Sequence, residues 1–165
     1  MEPENASTLE SRPPTIDDLL NVCRQLNEHG VNYIVIGGMA IIHHGFVRAT
    51  EDIDLLVACS PENEQRLKQA LLYLPDRAAE DIEEGDLEKY TVIRVADEIV
   101  IDVMKSACGV EYHEASNAVV YADIRGVTIP FASIELLWKL KQTVREKDAI
   151  DRVFLQEQMN KRELS

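Results

Sequence analysis

The sequence has 165 residues, 45% of them hydrophobic, and 30 acidic side chains against 17 basic ones give a net charge of −13. This length suits one domain that buries about two-thirds of its unfolded surface, and the apolar content excludes a disordered chain. The acidic excess argues against an extended DNA or RNA partner, because basic side chains on phosphates supply most of that affinity. No apolar run approaches the roughly 20 residues of a membrane span, so we expect no membrane association and a cytoplasmic protein.

The predicted elements begin after a polar segment. Residues 1–14 indicate a flexible N-terminal tail, and residues 15–161 a single folded domain. The first helix is predicted to start at Thr15, an N-cap with Asp18 as its reciprocal acid, and to end at Gly30.

Two strands and two helices follow. YIVIGG (33–38) predicts a short strand that ends in glycines, and GMAIIHHG (38–45) predicts a short helix. Residues 52–58 predict a buried strand. A helix is then expected from Pro61 to Leu74, with Ser60 as its N-cap.

The second half of the chain predicts hairpins and helices. Residues 76–88 indicate a solvated acidic loop, residues 89–105 a hairpin, and residues 109–116 a short helix. Residues 118–132 predict a hairpin that turns at Arg125-Gly126, followed by one helix from Ser133 through 147 and another over 147–161. The element order predicts an α+β (mixed α/β) single domain, with a mixed β-sheet flanked by helices.

The three cysteines, Cys23, Cys59 and Cys108, are widely spaced in apolar surroundings and form no metal-binding motif. We expect three buried, reduced thiols, because a buried cysteine mostly behaves as a small hydrophobe.

Acidic residues interrupt two apolar strands. Asp52 and Asp54 lie two apart, so they project from one face of a strand while Ile53 projects from the other. Carboxylates this close repel each other unless a cation lies between them, and hard oxygen ligands favour Mg²⁺ or Mn²⁺. Asp102 interrupts IVIDVM in the same way, so adjacent strands would bring three carboxylates together.

Gly37 and Gly38 lie at a strand-to-helix junction, where glycine allows a backbone to approach a phosphate closely. Three acids for metal beside an anion-binding turn are what metal-assisted phosphoryl transfer requires. Arg48, four residues before the acids, is a candidate contact for a phosphate or nucleobase.

Three segments together resemble the nucleotidyltransferases of the DNA polymerase β-like superfamily. They are IVIGGMAIIHHGFVRATEDIDLLV, IVIDVM and IPFASIELLWKLKQTVREKDAIDRVFL, and the resemblance covers about residues 15–157. The paired glycines with x-x-G-x-x-R-x-T before the acids are most similar to the bacterial minimal type, including the toxins of AbiE-like toxin–antitoxin systems.

The resemblance implies a set of site residues. Asp52, Asp54 and Asp102 would be catalytic and would hold the metal, with Asp102 drawing the proton from an acceptor hydroxyl. The implied nucleotide-binding residues are Gly37, Gly38, Arg48, Thr50 and Lys139, with Lys147 and Asp148 at the pocket rim. Most of the superfamily has Gly-Ser at the position of Gly37-Gly38.

The implied function is transfer of NMP from a nucleoside triphosphate to a hydroxyl on a protein, a small molecule or, less favoured by the charge, an RNA. An antitoxin-like protein partner is also implied. The alternative is a non-catalytic nucleotide-binding or partner-regulatory protein that retains the fold.

Structural explanations compete with the functional ones. Asp52 and Asp54 would also suit the exposed start of a strand, and Gly37-Gly38 a plain tight turn. Lys139 and Lys141 would equally suit the solvated face of an amphipathic helix.

Overall fold

The computed structural model describes residues 10–143 and 146–164, without the side chains of residues 146, 147 and 164. Its helices are α1 (Ile16–Glu28), α2 (Gly37–His43), α3 (Pro61–Leu71), α4 (Asp86–Lys89), α5 (Tyr112–Ala115), α6 (Ile134–Leu140) and α7 (Glu146–Leu164). Its strands are β1 (Tyr33–Ile36), β2 (Asp52–Val57), β3 (Ile93–Ala96), β4 (Val100–Met104), β5 (Ser106–Ala107), β6 (Val110–Glu111), β7 (Val119–Ile124) and β8 (Val127–Ala132). Short 3-10 turns lie at Ala78–Asp81 and Ser116–Ala118.

Six strands form one mixed sheet in the order β3-β4-β2-β1-β8-β7, while β5 and β6 form a separate two-stranded sheet. The predicted hairpins β3–β4 and β7–β8 are both antiparallel pairs. β2 pairs in parallel with β4 and antiparallel with β1, which in turn lies parallel to β8. This mixed topology with flanking helices confirms the predicted α+β class.

The apolar residues of the central strands and of the helical stripes form one core. All of β1 is buried, and so are the last three residues of β2. Helix α1 packs against α3 and β8, and α6 packs against α2 and α7. Among the described residues, no helix combines the length and the apolar character needed to cross a membrane.

The start of α1 follows the predicted capping chemistry. The Thr15 hydroxyl accepts the N–H of Asp18, and the Asp18 carboxylate accepts the N–H of Thr15. Residues 1–9 of the predicted tail lie outside the described residues. The Ser11 hydroxyl donates to the carbonyl of Asp97 at 2.6 Å, and the Arg12 N–H donates to that of Glu98 at 3.0 Å.

The acidic segment 76–88 is more ordered than the expected solvated loop, because buried carboxylates bind its backbone. The Glu64 carboxylate accepts the N–H groups of Gly85 and Leu87 at 2.9 and 2.7 Å. The Asp97 carboxylate accepts those of Asp76 and Ala78 at 3.0 and 2.9 Å. These contacts join positions about 20 residues apart, so local composition did not indicate them.

Several element boundaries and the exposure of two cysteines differ from the predictions. Helix α3 ends at Leu71 rather than Leu74, and the helix that Ser133 caps ends at Leu140 rather than at residue 147. Residues 110–111 form a strand before the short helix α5. Cys59 and Cys108 are exposed, and only Cys23 among the three thiols is buried.

Candidate active site

The pairing of β2 with β4 brings the three acidic residues together. These strands are parallel neighbours, and Asp54 lies directly beside Asp102 in the register. Asp52 shares their face because it is two residues from Asp54, whereas Ile53 is fully buried on the other face. Oxygen atoms of the three carboxylates lie within 4.8 Å of one another, which confirms that the acids converge across adjacent strands.

The carboxylates open into a cavity of about 300 Å³, lined also by Gly37, Arg94, Cys108, Lys141 and Asp148. Strands β2 and β4 contribute the three acids to the cavity lining. Gly37 lies at the start of α2, and Arg94 lies on the edge strand β3. The cavity thus lies where the sheet meets the segment that joins α6 to α7.

The electrostatics of this cluster suit a divalent cation. Burial raises the pKa of Asp54 to about 7, and the negative charges of Asp52 and Asp102 add to the rise. Burial and the two neighbouring negative charges both disfavour the ionised form of Asp54, and a bound divalent cation would offset them. Oxygen donors at this spacing match the ligands that Mg²⁺ and Mn²⁺ prefer, so the residues present fit such an ion.

A pH effect on stability follows for the metal-free protein. The pKa of Asp54 rises from 3.8 to about 7 on folding, so the folded state binds this proton more tightly and loses stability as the pH rises through that interval. We expect Asp54→Asn to remove the loss and to raise the melting temperature in EDTA by about 4 °C or more at pH 8. Melting curves from pH 5 to 8 should show the difference between variant and wild type shrinking towards pH 5. A difference that does not change with pH would contradict this assignment.

Gly37 and Gly38 lie so close to neighbouring side chains that neither position has room for a Cβ atom. A Cβ at Gly37 would overlap the Asp54 carboxylate, and one at Gly38 would overlap the Thr50 hydroxyl. Gly37 also has a φ of +67°, which other residues adopt only with strain. Thr50 therefore fills the space beside Gly38, which leaves no room for a side chain at that position.

We expect Gly37→Ala to destabilise the fold by about 2 kcal/mol, because the new methyl group strains the backbone and displaces the Asp54 carboxylate. Urea unfolding measures the loss. Gly109→Ala is a suitable control, because Gly109 also has a positive φ, of +80°, but has open space at its Cβ position. Equal losses in both variants would mean that backbone strain alone explains the effect and that contact with Asp54 contributes nothing.

Arg48 and Thr50 have protein partners in this structure. The Arg48 guanidinium forms an ion pair with Asp151 at 3.0 Å and donates to the Ala49 carbonyl at 2.7 Å. The Thr50 hydroxyl donates to the Asp52 carbonyl at 3.1 Å and is buried. Neither side chain lines the cavity, although both lie against Gly38.

Among the side chains that the structure describes, Lys141 is the lysine that reaches the cavity. Lys139 is exposed on α6 and is absent from the cavity lining, whereas Lys141 is buried there. Its ammonium group lies 3.0 Å from Asp148 and 3.0 Å from Asp151, and its charge opposes the rise in the pKa of Asp54. The sequence did contain a signal for a cation here. Asp148 and Asp151 are three apart on a helix and therefore share a face, and a buried pair of carboxylates requires a cation. Lys147, also expected at the rim, has a side chain outside the described residues.

Arg94 is a second cavity residue that sequence reasoning missed. It lies directly across from Asp102 in the β3–β4 pair. Its Nε and Nη2 atoms donate to the two carboxylate oxygens of Asp102, at 2.9 Å each, and Nη2 lies 3.7 Å from Asp52. The alternating pattern of β3 indicated only that Arg94 is exposed, whereas the register with β4 places it beside Asp102.

Solved structures of low sequence identity share this fold. A protein from Thermotoga maritima, described as a candidate nucleotidyltransferase, is 15% identical with a TM-score of 0.53, covering 88% of this chain and 90% of that one. ANT(2″)-Ia in complex with adenylyl-2″-tobramycin is 15% identical with a TM-score of 0.53, covering 86% and 87%. An antigenic nucleotidyltransferase-like protein from Paracoccidioides brasiliensis is 18% identical with a TM-score of 0.51, covering 87% and 78%.

No curated protein sequence matches the chain significantly. The sequence model of the family described as nucleotidyl transferase AbiEii toxin, type IV TA system, matches residues 18–137. That interval is more than half of the chain and contains the paired glycines, both strands of the acidic cluster and most of α6. The chain therefore belongs to the AbiEii nucleotidyl transferase toxin family of type IV toxin–antitoxin systems.

Proposed function

We propose that this protein is a Mg²⁺- or Mn²⁺-dependent nucleotidyltransferase that transfers NMP from a nucleoside triphosphate to a hydroxyl acceptor. The observation that carries the proposal is the convergence of Asp52, Asp54 and Asp102 within 4.8 Å beside Gly37. Nucleotidyl transfer is the activity of its family.

In the proposed reaction, the acceptor oxygen attacks the α-phosphorus and the bond to the β-phosphate oxygen breaks, which releases pyrophosphate. Asp102 accepts the proton of the hydroxyl. Asp52, Asp54 and Asp102 would hold the divalent ions, which when bound neutralise the charge that develops on the phosphates.

Residues that line the cavity or lie beside it would bind and orient the nucleotide. Gly37 and Gly38 would bring the backbone of α2 close to the triphosphate, because neither position has room for a side chain beside Asp54 and Thr50. Lys141 places a positive charge beside the acids, and its burial against Asp148 and Asp151 limits its movement. Arg48 would act through the packing around Gly38, or by leaving Asp151 for a phosphate.

The proposal extends to the biological setting. Family membership supports a toxin that acts in the cytoplasm, where nucleoside triphosphates are abundant, with an antitoxin as partner. The net charge of −13 favours a protein or small-molecule acceptor over RNA.

The test is a labelled-nucleotide transfer assay in lysate, beside melting curves with each of the four triphosphates, with and without Mg²⁺. We expect one triphosphate to raise the melting temperature only when Mg²⁺ is present, and to label an acceptor. A protein with neither a metal-dependent shift nor a labelled product would instead be the non-catalytic partner protein.

We also expect no salt-sensitive retention on duplex DNA at physiological ionic strength, because 30 acidic residues oppose 17 basic ones. Fluorescence anisotropy with a labelled duplex, titrated from low to high salt, measures this. Binding that weakens steeply with added salt would reveal many phosphate contacts and favour a nucleic-acid acceptor.

A further inference from the structure

We propose that Arg94 is a placeholder cation, which holds the metal-binding carboxylates together in the metal-free protein and must leave before a divalent ion binds. The inference rests on the proposed function, since it assumes that Asp52, Asp54 and Asp102 bind the metal. It adds that the chain supplies a competitor for its own metal site.

The contacts of Arg94 place its charge inside the acidic cluster. Its guanidinium donates to both oxygens of Asp102 at 2.9 Å and lies 3.7 Å from Asp52. Planar two-point pairing of this kind is the strongest form of arginine–carboxylate contact. A divalent ion between these carboxylates would therefore meet a positive charge a few ångströms away, and the two cations repel each other.

The position of Arg94 also lets it leave without disturbing the core. It projects from β3, the edge strand of the sheet, and its side chain is 62% exposed, against 10% for Asp102. A long, exposed side chain can turn towards solvent or towards a ligand at little cost. Because Arg94 also lines the cavity, the guanidinium released from Asp102 stays within reach of a bound phosphate group.

Metal and triphosphate should therefore bind with positive coupling. A metal ion alone must displace Arg94 without giving it another partner. When a triphosphate binds as well, its phosphate groups provide a new partner for the Arg94 guanidinium. Each ligand then raises the affinity of the other by the same factor.

The test compares Arg94→Gln, which removes the charge, and Arg94→Lys, which keeps the charge but loses the two-point geometry, with wild type. Arg162→Gln is the matched control, because Arg162 has a similar side-chain exposure of 58% and pairs with Glu135 on α6, away from the cavity. Mn²⁺ affinity is measured by electron paramagnetic resonance on the full chain, without nucleotide and then with a non-hydrolysable triphosphate. Melting in EDTA checks folding.

We expect Arg94→Gln to bind Mn²⁺ alone about tenfold more tightly than wild type, Arg94→Lys to lie between them, and Arg162→Gln to stay within about twofold. The gain in Mn²⁺ affinity on adding triphosphate should be smaller in Arg94→Gln than in wild type.

An Mn²⁺ affinity that is unchanged or lower in Arg94→Gln would overturn the inference and make Arg94 a residue that positions Asp102 for the metal. An equal gain in Arg162→Gln would also overturn it, because net charge alone would then explain the effect. If no variant binds Mn²⁺ even with triphosphate, the proposed metal dependence fails as well, so the two failures are distinguishable.

Discussion

Nucleotide transfer is expected to fall by at least about 10³-fold when any one of Asp52, Asp54 or Asp102 is replaced by asparagine. The amide keeps the shape of the carboxylate but removes the charge that a hard divalent cation requires. Because the cluster lies within 4.8 Å, each loss affects the same site. The Mg²⁺-dependent part of the triphosphate-induced melting shift should vanish together with the activity.

The same variants should remain folded. Three neighbouring carboxylates repel one another when no metal is bound, so losing the charge of Asp54 is neutral or stabilising. Asp102→Asn also loses the ion pair with the exposed Arg94, which should cost at most about 1 kcal/mol. Asp17→Asn is the control for net charge, because Asp17 is exposed on α1 and pairs with the likewise exposed Arg125, away from the cavity. Full activity in Asp54→Asn, or loss of activity only in variants that have unfolded, would refute the proposed roles.

The acidic face of β2 could be predicted because its cause is local. Two-residue alternation alone places Asp52 and Asp54 on one face and Ile53 on the other. The contribution of Asp102 depends on β2 pairing with β4, which are more than 40 residues apart. Only the family's order of motifs suggested that pairing before the structure placed the strands side by side.

Two cations in the described lining of the cavity, Arg94 and Lys141, were not singled out from the sequence for physical reasons. The helical pattern predicted one continuous helix through residue 147, and the resemblance implied Lys139 as its nucleotide-binding lysine. The helix instead ends at Leu140, so Lys141 leaves the helical face and turns into the cavity. Arg94 looked like an ordinary exposed residue, because its partner is fixed by strand register and not by its sequence neighbours.

Buried carboxylates that organise distant loops were equally hidden. Glu64 lies on α3 but accepts the N–H groups of Gly85 and Leu87, so the acidic segment is ordered by a residue outside it. Local hydrophobic periodicity predicts a helix or strand well when that element buries one face and exposes the other. It does not indicate which polar side chain accepts the hydrogen bonds of backbone N–H groups that are distant in sequence.

The buried charge cluster around Lys141 should be the most sensitive point of the fold. Lys141, Asp148 and Asp151 have side-chain exposures of 8%, 4% and 1%, and the ammonium group contacts both acids at 3.0 Å. Replacing Lys141 by methionine keeps the chain length but removes the cation that Asp148 and Asp151 share, so Asp151 keeps only its pair with Arg48. Breaking a buried ion pair from one side costs about 3–5 kcal/mol, and we expect a loss of that size in urea unfolding.

Lys139→Met is the matched control, since Lys139 is exposed on the last turn of α6 and its replacement should lower the free energy of unfolding by less than about 0.5 kcal/mol.

A double variant separates charge from packing. If uncompensated charge causes the loss, Lys141→Met with Asp148→Asn should recover a large part of it, because a neutral amide tolerates burial better than a carboxylate. If the loss came from the altered packing of the lysine stem, the second substitution would restore nothing. Similar losses in Lys139→Met and Lys141→Met would refute the assignment of Lys141 as the cation that holds the α6–α7 junction against the acidic site.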